Sequence, residues 1–299
     1  MEYLRISERP ELRSPVLIAA FAGWSDAALC ATAAVRFLVE QWHARKFADI
    51  DPEEFYSFIR TRPTVHLDEA GQRHIEWPAN EFYYHQAPDQ PNDFIMFIGQ
   101  EPSMKWRTFS QAFTGLARDF EVSYALIMGC MIADTVHSVE VPVTGNSNDE
   151  SLRNRMTSLV VRPSRYEGPT GITGVVTDRC AQDGVKTMSM WGAVPHYIAN
   201  TPNPKVVVAL LRHLRDVLRV DLDLIQLDAA ARNFEKQVDE AVAGNDQLRQ
   251  FIREREQAEG HGPDRSESVA GADEFPTSEN VIESLEEFLR QNRQRPSSD

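Results

Sequence analysis

The chain has 299 residues, of which 31 are Lys or Arg and 45 are Asp or Glu, giving a formal charge of −14. That balance excludes a protein built to grip nucleic acid or an anionic membrane surface without specificity, and no apolar run approaches the roughly 18 residues of a membrane span. A hydrophobic fraction of 42% is ample for a core without disulfide staples, and the length suits one large α/β domain with an appendage.

Four apolar runs, each followed by a polar turn and a helix-like segment, organise the chain. The first, Val16-Leu17-Ile18-Ala19-Ala20-Phe21, leads into Ala22-Gly23-Trp24-Ser25-Asp26, where Ser25 or Asp26 can cap a helix running to about Trp42. Residues 54–85 change character. Phe55 to Arg60 reads as a strand, Thr64-Val65-His66-Leu67 and Arg73-His74-Ile75-Glu76-Trp77 as a hairpin turning near Gly71, and Glu81 to His85 as a further strand. This block is expected to extend the core antiparallel. The second run, Phe94 to Ile98, turns through Gly99-Gln100-Glu101-Pro102-Ser103, with a helix from about Ser103 carrying Trp106, Phe109, Phe113, Leu116 and Phe120.

The third run, Tyr124 to Met128, turns at Gly129-Cys130-Met131 and reaches Asp134-Thr135-Val136-His137. A polar loop is expected over 138–151, a strand over Met156–Val161 and a short helix over 170–181. The fourth run, Val185 to Trp191, turns at Gly192-Ala193-Val194-Pro195-His196-Tyr197. Asn203-Pro204 is a helix start, with Asn as cap and Pro at the first position. The pattern divides the chain into a core over 1–220, a helical hairpin over 221–257, a flexible acidic linker over 258–277 and an amphipathic helix over 278–294 with Val281, Ile282, Leu285, Phe288 and Leu289 on one stripe. Part of the acidity is a property of this end, since residues 259–299 carry ten acids against four basic residues.

Short, nearly unbroken apolar runs alternating with helices predict a mostly parallel, helix-covered sheet of the α/β class. In such sheets a ligand crevice lies beyond the carboxyl ends of the strands, which makes the four polar turns the candidate site. Its expected ligand-binding residues are Gly23, Trp24, Ser25, Asp26, Gly99, Glu101, Asp134, His137, Pro195 and His196. Asp26, Glu101, His137 and His196 would form an acid/base set if they converge. Each has a structural reading beside the chemical one: Ser25 and Asp26 as a helix cap, Glu101 paired with Lys105 or Arg107, and the histidines hydrogen-bonded in place. The turns are neither Gly-x-Gly-x-x-Gly, nor a phosphate loop, nor a Gly-x-Ser-x-Gly elbow.

Asp134-x-x-His137 supplies two ligands where a metal needs more, so no metal and no cofactor is expected. Cys30, Cys130 and Cys180 are odd in number, far apart and flanked by apolar residues, which fits small buried side chains in the reducing cytoplasm. The start Met1-Glu2-Tyr3-Leu4-Arg5 lacks the basic-then-apolar pattern of a signal peptide.

Gly23-Trp24-Ser25-Asp26-Ala27, Gly99-Gln100-Glu101-Pro102 with Trp106-Arg107-Thr108-Phe109, Asp134-Thr135-Val136-His137, Gly168-Pro169-Thr170-Gly171 and Trp191 through Pro204 together resemble the proteasome assembly chaperone two family, in its actinobacterial-type branch. The resemblance covers most of residues 15–240. It implies a three-layer α/β/α sandwich with a helical C-terminal region, homo-oligomers, and a non-catalytic role recognising partner proteins, proteasome-related ones among them. The final residues, Arg295-Pro296-Ser297-Ser298-Asp299, depart from the hydrophobic–Tyr–any-residue tail of archaeal relatives, which argues against docking through such a tail and leaves open a chaperone that uses another surface. The residues themselves leave a second reading open: an enzyme or sensor taking a small anionic or nucleoside-like ligand at the strand ends.

Overall fold

The computed structural model describes residues 3–259 except 69, 160 and 165. In chain order the strands are β1 (Leu4–Ile6), β2 (Val16–Ala22), β3 (Arg45–Ile50), β4 (Thr64–Leu67), β5 (Arg73–Glu76), β6 (Glu81–His85), β7 (Phe94–Gln100), β8 (Tyr124–Ala133), β9 (Val143–Ser147), β10 (Arg162–Pro163) and β11 (Thr187–Pro195). The helices are α1 (Cys30–Gln41), α2 (Trp106–Asp119), α3 (Glu150–Ser158), α4 (Ile172–Gln182), α5 (Pro204–Leu218), α6 (Ile225–Ala243) and α7 (Asp246–Glu259). The linker and terminal helix expected over 258–277 and 278–294 lie outside the described residues, apart from 258 and 259, which end α7.

Nine strands form one sheet in the order β1-β3-β6-β7-β2-β8-β11-β9-β10. Its centre, β7-β2-β8-β11, is parallel throughout, while β6 joins β7 and β9 joins β11 antiparallel. The four apolar runs are these four central strands. Their side chains alternate between two cores, as strand geometry requires. Val16, Ile18 and Ala20 of β2 join Leu126 and Met128 under α1 and α5, whereas Leu17, Ala19 and Phe21 join Ala125 and Ile127 under α2 and α4. On that second face Phe21, Phe97 and Phe113 pack at centroid distances of 5.0 to 5.8 Å, and each fully buried ring contributes roughly 1.5–3 kcal/mol. A third core, built on Val136, Tyr197 and Ile198, seats α6 and α7.

Several sequence expectations need correction. Gly99, Gly129 and Gly192 are not corners but lie inside β7, β8 and β11. A side chain there would collide with packed neighbours. A Cβ on Gly129 would stand 2.6 Å from the Trp191 ring, and one on Gly192 2.9 Å from Val206. Residues 55–60 form turns with Phe55 and Tyr56 buried, not a strand. The 64–76 hairpin is a separate two-stranded sheet, whereas 81–85 does enter the main sheet. The loop expected over 138–151 contains β9, and the segment Met156–Val161 begins in helix α3, with the strand following at Arg162–Pro163. Helix α2 starts later than Ser103, behind Lys105 in the left-handed conformation (φ 56°).

The role of Gly129 is testable. Gly129→Val should lower unfolding stability by about 1–3 kcal/mol through overpacking against Trp191, read from urea melts. Unchanged stability would show that the two strands do not meet as described.

Candidate functional site

Each central strand ends one residue before a candidate group. β2 is followed by Gly23, β7 by Glu101, β8 by Asp134 and β11 by His196. Because the strands are parallel, all four ends lie along one rim, in the spatial order Glu101, Gly23, Asp134, His196. Neighbouring strands are about 4.8 Å apart, so the outer members are separated by three strand spacings. The hydrogen bonds then divide the rim in two.

On the β7/β2 half, Gly23 turns the chain at φ +128°, and a Cβ there would stand 2.8 Å from Glu101 Cβ. Glu101 reaches back: its Oε2 accepts from the Trp24 backbone N–H at 3.0 Å and its Oε1 from the Ile172 N–H at 2.9 Å. The carboxylate therefore satisfies a free amide at the start of α4, where the helix dipole also favours a negative charge. Ser25 Oγ lies 2.9 Å from Thr173 Oγ1, which ties the turn to the same helix. Gly171 is required between them, because its Cβ would fall 2.3 Å from Ser25 Oγ. The Trp24 side chain stays 59% exposed.

Asp26 points the other way. It accepts from the Ala31 N–H at 2.7 Å and the Thr32 N–H at 3.3 Å, with Thr32 Oγ1 as a further donor at 2.5 Å. It thus caps α1 across a 3-10 turn at Ala27–Leu29. The capping reading of this motif is the one its contacts match, with Asp26 rather than Ser25 as the cap. Burial raises the Asp26 pKa above its ordinary value despite these donors. Beside it, burial and the Cys30 thiol hold the Cys130 thiol protonated, and burial pushes Cys180 up to about 12, so neither is a ready nucleophile.

The β8/β11 half is covered by the C-terminal helices. The His137 N–H donates to Tyr197 Oη at 2.8 Å, and His137 Nδ1 lies 2.7 Å from the same oxygen. Burial raises the Tyr197 pKa, so the phenol keeps its proton. Its O–H then donates to Nδ1, leaving the imidazole proton on Nε2, which donates to Asp239 Oδ1 at 3.0 Å. Lys205 Nζ donates to the His137 carbonyl and pairs with Glu235 at 2.9 Å. Asp134 pairs with Arg255. His196 packs edge-on against Tyr197 and Phe251 at 5.3 and 5.2 Å, and burial, with the Arg255 charge, lowers its pKa to about 4.

Both histidines are thus held neutral, with α6 or α7 packed against them. The void lined by His137, Pro195 and Lys205 is about 10 Å³, room for roughly one water and no substrate. A groove of about 940 Å³ lies elsewhere, between α1, α5 and α6, with no member of the acid/base set in its lining. Among the described residues no group of three or more His, Cys, Asp or Glu is placed to hold a metal ion, and no helix is long and apolar enough to cross a membrane.

The candidate carboxylates and histidines therefore share a rim without facing one another. Glu101 is engaged with Trp24 and α4, Asp26 with α1, and the two histidines with Tyr197. Sequence reasoning missed Asp239, Lys205 and Arg255, whose helices carry only an amphipathic signal. It also missed Thr173, beside the Gly168–Gly171 segment that the resemblance did mark.

The family model for the PAC2 family matches residues 20–242. A PAC2 family protein from Streptomyces avermitilis is 37% identical, with a TM-score of 0.74 over 80% of this chain and 99% of that one. The proteasome-assembly chaperone homologue Rv2125 of Mycobacterium tuberculosis is 35% identical, with a TM-score of 0.71 over 79% and 99%. PbaB of Pyrococcus furiosus, an archaeal proteasome activator, shares the fold at 20% identity and a TM-score of 0.65, over 80% and 99%. A search of the curated proteins returned no match.

The buried histidine makes a pH prediction. Because the folded pKa of His196 lies below its unfolded value near 6.5, the unfolded chain takes up protons that the folded one refuses. Stability is then full above about pH 6.5 and falls as pH drops toward 4. His196→Phe, which keeps the ring contacts, should reduce that loss between about pH 7 and 4.5 in denaturant titrations. An unaltered pH dependence would mean that His196 is not buried neutral.

Proposed function

The chain belongs to the PAC2 family, and from that premise we propose that it is a non-catalytic, cytoplasmic binding protein of the proteasome-assembly-chaperone kind, working as a homo-oligomer that recognises proteasome-related proteins. The observation that carries this reading is identity of 35% to a proteasome-assembly chaperone homologue along 99% of that protein's length. The rim geometry supports it from the chemical side. An acid/base enzyme needs its groups free to meet a substrate, and here Glu101, Asp26 and His137 are each engaged by two or more protein partners.

The surface supports it as well. In the hairpin β4–β5, Val65 pairs with Ile75 and Leu67 with Arg73, so Val65, Leu67 and Ile75 share one face. They are 50%, 67% and 58% exposed. The opposite face carries His66 with Glu76 and His74 with Asp68, each at 2.9 Å. An amphipathic ribbon whose polar face is satisfied and whose apolar face is open is suited to protein contact. Two isolated strands are marginal in water, and a partner would stabilise them.

The test is size-exclusion chromatography of the purified protein with isolated proteasome α- and β-type subunits. Co-elution is expected, weakened at least about tenfold by Leu67→Asp combined with Ile75→Asp, a loss of about 1.4 kcal/mol. Absence of any complex, including after cross-linking, contradicts the reading.

A further inference from the structure

The hairpin β4–β5 is exposed at every strand residue, and its register shows which backbone groups it leaves unused. The Asp68 N–H donates to the Gln72 carbonyl at 3.0 Å, which makes these two a hydrogen-bonded pair. Along an antiparallel ladder such pairs alternate with pairs whose N–H and C=O point away from the partner strand. The backbone groups of His66 and His74 therefore turn inward, and those of Val65, Leu67, Arg73 and Ile75 turn to the two outer edges. The sheet has only these two strands, so neither edge is paired among the described residues. An open edge is a template for another strand unless a charge, a proline or a cover blocks it. The β5 edge carries the charged Arg73, whereas the β4 edge offers Val65 and Leu67.

We propose that β4 pairs antiparallel with β4 of a second copy of the chain, joining two hairpins into one four-stranded sheet about a twofold axis at His66. Three features point to a second copy rather than to an unrelated strand. First, the outward groups are self-complementary. Val65 of one copy exchanges both backbone hydrogen bonds with Leu67 of the other, and Leu67 with Val65, so a single register uses every outward group of these two residues. Second, the side chains agree with that register. One row across the sheet reads Ile75 and Val65, then Leu67 and Arg73 of the second copy, and the next row is its reverse. The apolar residues meet at the centre and the arginines fall at the sides. Pairing through β5 puts both Arg73 side chains in the middle of the sheet, where like charges are near neighbours.

Third, the polar face permits the contact. His66 is bonded to Glu76 and His74 to Asp68 within the same hairpin, each at 2.9 Å, so the second copy displaces no partner there. A sheet of more than two strands with an apolar face is also what a lone ribbon lacks for stability in water. The inference rests on the homo-oligomer reading above and says where two copies join. It also makes the apolar face incomplete in a single chain, because Val65, Leu67 and Ile75 of both copies then form one continuous surface.

The test is analytical ultracentrifugation of the full chain, wild type against Leu67→Pro and Arg73→Pro. Proline removes an outward N–H at either position, so the hairpin keeps its own ladder. Leu67→Pro deletes one intermolecular hydrogen bond from each copy and should weaken self-association at least about tenfold, whereas Arg73→Pro should not. Cross-linking gives a second readout. His66 faces His66 of the second copy as a non-hydrogen-bonded pair with Cα atoms about 4.5 Å apart, within disulfide reach. The native cysteines are buried, so His66→Cys should give a covalent dimer under mild oxidation. His74→Cys, about 14 Å from its counterpart across the sheet, should not. An oligomer that survives Leu67→Pro and fails to cross-link through His66→Cys overturns the inference and leaves the homo-oligomer reading standing. Equal weakening by Arg73→Pro overturns the choice of the β4 edge. A wild-type chain that stays monomeric overturns both.

Discussion

The architecture depends on strand β2 having neither a free face nor a free edge. Val16 through Phe21 are 0–1% exposed, and the strand is hydrogen-bonded in parallel to β7 on one side and β8 on the other. A strand so placed cannot slip by one residue, because that would exchange the side chains of its two cores. Its end is therefore fixed, and with it the sharp turn at Gly23 that only a residue without Cβ makes beside Glu101. From that turn Trp24 is aimed outward, Ser25 at α4 and Asp26 at α1. The rim is thus a set of joints between the central sheet and the helices on its two faces.

The apolar runs made the centre of the fold legible, because strands buried on both faces leave an almost pure composition signal. The periphery was less visible for the same reason. β9 reads Val-Thr-Gly-Asn-Ser and lies one strand from the sheet edge, so polar side chains serve it. Its glycine answers a packing demand invisible in sequence: a Cβ on Gly145 would stand 2.2 Å from the Ser189 carbonyl oxygen. β3 begins with the exposed pair Arg45 and Lys46, which hid its buried Phe47, Ala48 and Ile50. Met156 to Val161 is a short apolar run of the kind that periodicity cannot assign between helix and strand.

At the rim, the residue types were legible and their partners were not. Glu101 could be read as a cluster member of Lys105 and Arg107, the natural neighbours in sequence. Its carboxylate instead bonds amides 77 and 71 residues away. His137 meets Asp239, 102 residues downstream on a helix whose sequence advertises only its apolar stripe. Convergence of parallel strands does follow from pattern; orientation of a side chain at each end does not. In the proposed binding role this arrangement has a simple sense, because a molecule that engages other proteins through the exposed hairpin face needs a rigid body behind it. The two helices α6 and α7 add to that rigidity by burying His137 and His196.

Whether the rim histidines are bonded parts of the scaffold is read from 15N NMR of the imidazoles in the full chain. Scaffold histidines show His137 as the neutral Nε2–H tautomer near pH 7, with both His137 and His196 titrating below the ordinary value of about 6.5. Rings that exchange tautomers freely and titrate at or above that value would contradict it, and would return the strand ends to the status of an open, working crevice.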